Sequence, residues 1–339
     1  MNLKKRLKTA FIQRSLDKRM FSYPFIVDAA EHFSLPPDAD DNQNNSHYFS
    51  GHDLSGNSLL FRYAKRGKNK TEIWFAYKDA DGNAFVNENQ LCIEDDMSAG
   101  VKCKEPGRAL TFHYDGDLRE LSSGKLRKAR FTGTFSSTGD IFEFGHHLDS
   151  RILAKAIAQQ KWSKAFFREL RENDQVHYEQ PGVIKGMLSI GQSSIDLSLP
   201  AMRDHSFGKR DWGYMNRHFW LMALLEDGSY LNANMVSYPI LRELQTGYFV
   251  SDKGTACIDT AKVLGDIVPN AVPESFTYRV RLLNGDSLNI QCSREMQFIF
   301  PFSQGRYTIY EGIGTFDLNG VKGRGVLEFG WNGDSSRYA

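Results

Sequence analysis

The chain has 339 residues, 41% of them hydrophobic and 24% charged, with a net charge of +1. That balance excludes a disordered or collagen-like chain, and the near-neutral total argues against a nucleic-acid partner. No run of 18 or more apolar residues occurs, so no membrane-spanning helix is predicted.

Residues 1–20 hold seven cations (Lys4, Lys5, Arg6, Lys8, Arg14, Lys18, Arg19) against one acid, Asp17. The remainder carries 35 basic and 40 acidic residues, a net of about −5. Leu3, Leu7, Phe11, Leu16 and Met20 recur every four to five residues, with Ile12 beside them, the spacing of a helix face. The segment lacks the long apolar stretch of a secretory signal. Three readings stay open: a basic amphipathic helix on an anionic membrane, an organelle transit peptide, or a solvated helix packed on the body.

From about residue 45 the pattern turns to short strands such as SLLFRYAKR, TEIWFAYKD and KARFTGTFS, with Gly, Asn and Asp between them. TEIWFAYKD runs into a hairpin-like turn at Ala80-Asp81-Gly82-Asn83. Residues 149–173 break the pattern: they contain no Gly or Pro and are rich in Ala, Leu, Lys and Arg, which predicts one helix capped by Asp149 or Ser150. Strands resume after it. The expected organisation is a basic segment at 1–20, a β domain at 21–148, a connecting helix at 149–173 and a second β domain at 174–339, all-β overall and antiparallel.

Four scattered cysteines (Cys92, Cys103, Cys257, Cys292) show no CxxC spacing and read as reduced thiols. His146, His147 and Asp149 lack a third ligand at metal spacing, so no metal is expected. No phosphate loop, dinucleotide fingerprint or nucleophile elbow is found, and no cofactor is expected.

The densest chemistry lies at Arg203-Asp204-His205-Ser206-Phe207-Gly208-Lys209-Arg210-Asp211-Trp212. In extended chain Arg203 and His205 point one way, Asp204 and Ser206 the other. Gly208 permits a positive φ, and a turn there could pair Asp204 with Arg210 or Arg203 with Asp211. The cluster fits an internally satisfied ion-pair network. It also fits a proton-transfer site in which Asp204 or His205 is the acid, Arg203 and Arg210 bias the carboxylates, and Asp211 takes part. Trp212, Tyr214 and Trp220 would wall an apolar pocket, and Glu179 could supply a second carboxylate.

This string, followed by HFWLMALLEDGSYLNANMV and preceded by HYEQPGVIKGMLSIG, resembles the carotenoid 1,2-hydratase/AttH/Svf1-like group, in particular its uncharacterised branch with an RDHS-[WF]-G-x-RDW signature. GTFDLNGVKGRGVLEFGW resembles that group's closing hairpin. The resemblance implies two lipocalin-like antiparallel β-barrels side by side, joined by one helix. It implies an acid/base enzyme (hydratase, isomerase or cyclase) acting on a hydrophobic isoprenoid-, polyketide- or lipid-like molecule, or a non-catalytic lipid carrier associated with membrane surfaces. The expected location is cytoplasmic, with membrane-surface or organelle placement through residues 1–20 as alternatives.

Overall fold

Alternating large apolar and polar side chains build the sheets. Along Leu126–Ser137, Ala129, Phe131 and Phe135 are buried while Lys128, Arg130 and Thr132 are exposed. Along Ser275–Leu282 the same period buries Phe276, Tyr278, Val280 and Leu282. The computed structural model describes residues 3–22, 24–88, 91–93, 98–172, 175–265 and 267–338. The side chains of residues 19–22, 91–93 and 338 lie outside that description. These include Arg19, Met20 and Cys92. No helix among the described residues is long and apolar enough to cross a membrane.

Two compact units result. One comprises Phe25–Phe144 and Gln175–Arg210. Its strands are β1 (Gln43–His52), β2 (Ser58–Arg66), β3 (Lys70–Lys78), β4 (Ala84–Val86), β5 (Leu91–Ile93), β6 (Ala99–Glu105), β7 (Ala109–Glu120), β8 (Leu126–Ser137), β9 (Phe142–Glu143), β10 (Gln175–Ile190) and β11 (Ser193–Lys209). Eight of them close an antiparallel barrel in the order β1-β2-β3-β4-β7-β8-β10-β11, and β11 pairs back onto β1. The β3–β4 hairpin forms as expected, with Gly82 at φ 90°. Phe49, Phe61, Phe75, Phe112, Phe131 and Phe135 fill the interior.

The other unit holds residues up to Pro24, Gly145–Asp174 and Asp211 onward. Its strands are β12 (Arg217–Leu225), β13 (Tyr230–Ser237), β14 (Leu244–Ser251), β15 (Gly254–Leu264), β16 (Ser275–Leu282), β17 (Ser287–Phe302), β18 (Tyr307–Leu318) and β19 (Val321–Asn332). They close a second eight-stranded barrel in chain order. The α-helices among the described residues are α1 (Leu3–Ser22), α2 (Val27–Glu31), α3 (Phe144–His147), α4 (Ser150–Ala158) and α5 (Lys164–Glu172). The all-β fold of two antiparallel barrels is as the resemblance implied.

Two expectations about organisation change. The sequence pattern places the strands after residue 174 in a C-terminal domain, but β10 and β11 complete the first barrel, pairing with β8 and β1. Those partners lie far away in sequence, and local pattern does not encode them. The expected cut itself falls on 173–174, outside the described residues. The expected single helix at 149–173 is two helices. Asp149 caps α4 by accepting from the Arg151 N–H at 2.9 Å, and Ser163 Oγ accepts from the Phe166 N–H at 3.0 Å to open α5. A serine able to cap a new first turn ends the uninterrupted reading. Cys103, Cys257 and Cys292 are free thiols.

Candidate functional site

On β11 the residues Leu197, Leu199 and Ala201 point into the barrel. Arg203, His205 and Phe207 continue that side, and Asp204 and Ser206 face the other way, as strand geometry requires. The register sets His205 across from His47 on β1 and Tyr178 on β10.

The inward set is sealed. His205 is 1% exposed. Its ring stacks on His47 at 3.8 Å, and Phe207 stacks on Phe33 at 4.1 Å. Asn45 Nδ2 donates to the Phe33 carbonyl, so Asn45 Oδ1 faces His205 Nε2 at 2.7 Å. The hydrogen bonds therefore assign the proton to Nε2, and Nδ1 accepts from the Tyr178 hydroxyl at 2.6 Å. Burial, with His47 and Arg203 adding to it, holds the His205 pKa well below the usual histidine range. Arg203 ion-pairs with Glu31 of α2 and donates from Nε and Nη2 to Gln180 Oε1 at 3.0 and 2.7 Å. Gln180 Nε2 in turn donates to the carbonyls of Gly107 and Gly139. His205, a candidate acid in the sequence, and Arg203, expected to bias the carboxylates, thus both sit in the hydrogen-bonded network at the end of the barrel. The pairings expected for this stretch are replaced: Arg203 takes Glu31, and Asp204 takes His177.

On the outward side Asp204 meets a histidine that is partly open to water. His177 Nε2 lies 2.5 Å from Asp204 Oδ2 and 3.5 Å from Glu179 Oε1. Its side chain is 18% exposed, against 10% for Asp204 and none for Glu179. Glu179 and Asp204 are directly opposed in the β10–β11 register, and His177 sits two residues before Glu179 on the same face. Phe144 stacks flat on the imidazole at 4.5 Å. Burial disfavours the charged ring, but the Asp204 carboxylate, its hydrogen bond and Glu179 outweigh it and raise the pKa to about 9. The ring is therefore an imidazolium at neutral pH, bracketed by two carboxylates. The three groups place donor atoms within 4.8 Å of one another, an arrangement able to hold a divalent cation only once His177 is deprotonated.

Arg210 follows the end of β11. Its Nε donates to Gln175 Oε1 at 3.0 Å, and its N–H to the Asn42 carbonyl at 2.5 Å. Gly208 does adopt a positive φ, 122°, but the strand runs on to Lys209 before the chain leaves the sheet. The remaining predicted residues fall in the other unit. Asp211 caps a 3-10 turn at Trp212–Tyr214 by accepting from the Gly213 N–H at 2.9 Å. Trp212 is 7% exposed and lies against Phe302 at 4.6 Å and Tyr307 at 5.8 Å. Tyr214 donates to Glu169. Trp220 lies on β12, opposite Glu328 of β19.

Sequence reasoning missed two groups. His177 was passed over in favour of Glu179, although an H-x-E spacing on a strand puts both on one face. His218, Tyr307 and Glu328 form a second chain: His218 Nδ1 meets the Tyr307 hydroxyl at 2.5 Å, and Nε2 meets Glu328 Oε1. The only local signal was His218 alternating with core residues Phe219 and Leu221.

The inward histidines predict acid sensitivity. Burial, reinforced by Arg203 and only partly opposed by Asp204, lowers the His47 pKa to about 3. A histidine whose folded pKa lies below its unfolded value destabilises as pH falls. His47 and His205 therefore contribute full stability above about 6.5 and lose it progressively below. Thermal melting temperature should drop between pH about 6.5 and 4, and less steeply in His47→Leu. A melting temperature flat over that range would refute the assignment.

A family model described as Domain of unknown function (DUF7064) matches residues 28–333. Comparison with curated proteins finds no match. Among solved structures, an AttH-like protein of Nitrosomonas europaea is 16% identical with a TM-score of 0.55, over 91% of this chain and 98% of that one. CghA is 9% identical with a TM-score of 0.51, over 91% and 92%. Kievitone hydratase of Nectria haematococca is 10% identical with a TM-score of 0.49, over 91% and 96%. The first two likenesses show a shared two-barrel fold, and fold alone does not transfer activity.

Proposed function

We propose that this chain, which belongs to the DUF7064 family over residues 28–333, is an acid/base enzyme for a hydrophobic small molecule, with His177, Asp204 and Glu179 as its proton-transfer group. The observation that carries the reading is the His177 ring, its Nε2 2.5 Å from Asp204 Oδ2 and its side chain still partly open to water. A ring that keeps its proton to about pH 9 can donate it to an alkene or enol. Asp204 and Glu179 stabilise the charge before transfer, and the neutral ring can then recover a proton from water. Acid-catalysed hydration, isomerisation and cyclisation each begin with such a donor. The Phe144 ring, half-buried and stacked on His177, makes that side of the group apolar.

The test begins with mass spectrometry of organic extracts from protein purified out of its own cells, to identify a co-purifying molecule. Wild-type protein should convert that molecule or its close relatives, and Asp204→Asn should convert it far more slowly, while keeping the circular dichroism of the wild type. Conversion at equal rates by both would sink the reading. Binding without conversion by either would establish the carrier alternative, which the exposed apolar and basic face of α1 favours.

A further inference from the structure

The first helix is held by one face and leaves another bare. Ile12, 6% exposed, and Leu16 pack with Ala154, Ile157, Phe166 and Leu241. Leu3, Leu7 and Phe11, one helical turn apart, form a second stripe at 72%, 65% and 67% exposure. Trp162, in the turn between α4 and α5, extends this stripe, its ring 6.2 Å from Phe11. An open hollow of about 430 Å³ lies among Leu3, Leu7, Phe11 and Trp162. A second hollow, which shares Trp162 with the first, lies beside Phe167.

Cations rim both hollows. Lys4 and Lys8 border the first, and Lys164, Arg168 and Arg171 the second. Lys8 Nζ sits 4.3 Å from the Trp162 ring centre and donates to the Gln160 carbonyl at 2.8 Å, fixing the helix to the turn. Asp17, the acid of the segment, accepts from the Ser150 hydroxyl. Ile12 and Leu16 already secure the helix, and three large apolar side chains stay mostly in water. Their burial elsewhere would be favourable.

We propose that α1 and the Trp162 turn form a single docking surface for anionic phospholipid bilayers. An apolar ridge ringed by lysine and arginine matches a bilayer interface, where acyl chains take the ridge and phosphates the cations. A tryptophan at the edge suits the headgroup layer. The same ring of cations opposes a second copy, because face-to-face pairing would bring like charges together. The remainder of the chain is net acidic by about 5 charges, so an anionic surface repels the body and selects this orientation. The surface is independent of the His177 group, and its test reads lipid binding with no turnover.

The experiment is co-sedimentation of the full chain with phosphatidylcholine vesicles, with and without phosphatidylserine, at low and high salt. Full-length protein should bind only the phosphatidylserine vesicles and release in high salt. Leu7→Glu/Phe11→Glu should abolish binding with unchanged circular dichroism. Lys4→Gln and Arg168→Gln should each weaken it roughly fivefold, the equivalent of one cation at such a surface. Absence of binding, equal binding to neutral vesicles, or undiminished binding by the double variant would overturn the proposal. Self-association in buffer that Leu7→Glu/Phe11→Glu eliminates would assign the ridge to a second copy instead.

Discussion

Arg203→Ala should destabilise the first barrel by about 3–5 kcal/mol, the cost of leaving one member of a buried ion pair alone. Arg203 is 1% exposed, and the Glu31 side chain is fully buried. The guanidinium also lies 5.6 Å from the Phe135 ring centre and 5.4 Å from that of Tyr178. Removing it strands the Glu31 carboxylate, leaves Gln180 Oε1 without its donors and opens a cavity between two rings. The pair is not fully satisfied even in the native state: Arg203 Nη1 and Glu31 Oε2 have no hydrogen-bond partner among the described residues. Its desolvation cost is therefore only partly offset. Replacing both residues with apolar ones, Arg203→Met/Glu31→Leu, should recover most of the loss. Urea unfolding followed by circular dichroism gives both numbers. A single variant within about 1 kcal/mol of wild type would disprove the structural role.

For Arg203 this expectation takes the first of the two sequence readings, an ion-pair network, with a partner the sequence did not offer, and the reason is physical. The sequence did show that Arg203 and His205 share one side of a strand and Asp204 the other. It could not show which side faces the barrel interior. That depends on β11 pairing with β1, where Phe49 meets Arg203 across more than 150 residues. Loop closure over that distance leaves no local trace. The strands themselves were legible because their burial alternates every second residue, as along β8 and β16. The membership of β10 and β11 was not, because alternation says that a segment is a strand and nothing about its sheet. Charge density marks Asp204, and Glu179 stands out only by its place on the strand that leads to that stretch. His177 needed the register that sets Glu179 opposite Asp204 before its neighbours became visible. The break between α4 and α5 was hidden by composition, because the residues around Ser163 are ordinary helix formers and only the cap reveals the new start.

His177→Gln should reduce kcat by roughly 100- to 10,000-fold on the molecule the chain converts, the usual range for losing a positioned acid. KM should change little, since the ring acts on the proton and contributes little to apolar binding. A structural loss could imitate a lower rate, so the pH profile provides the separate readout. In the wild type the active form is the imidazolium, and kcat/KM should fall as pH rises through about 9. In Asp204→Gln, the carboxylate that raises this pKa is gone, and burial, which lowers it, remains. Whatever residual activity survives should therefore show its alkaline limb displaced toward the ordinary histidine value near 6.5. Stability follows the same linkage. A histidine whose folded pKa is raised contributes fully below about 6.5 and loses its contribution as pH passes the folded value. Wild type should then melt at a lower temperature above pH about 9 than near neutrality, and His177→Gln should lack that step. A normal rate in His177→Gln, or an alkaline limb unmoved by Asp204→Gln, would remove His177 from the reaction.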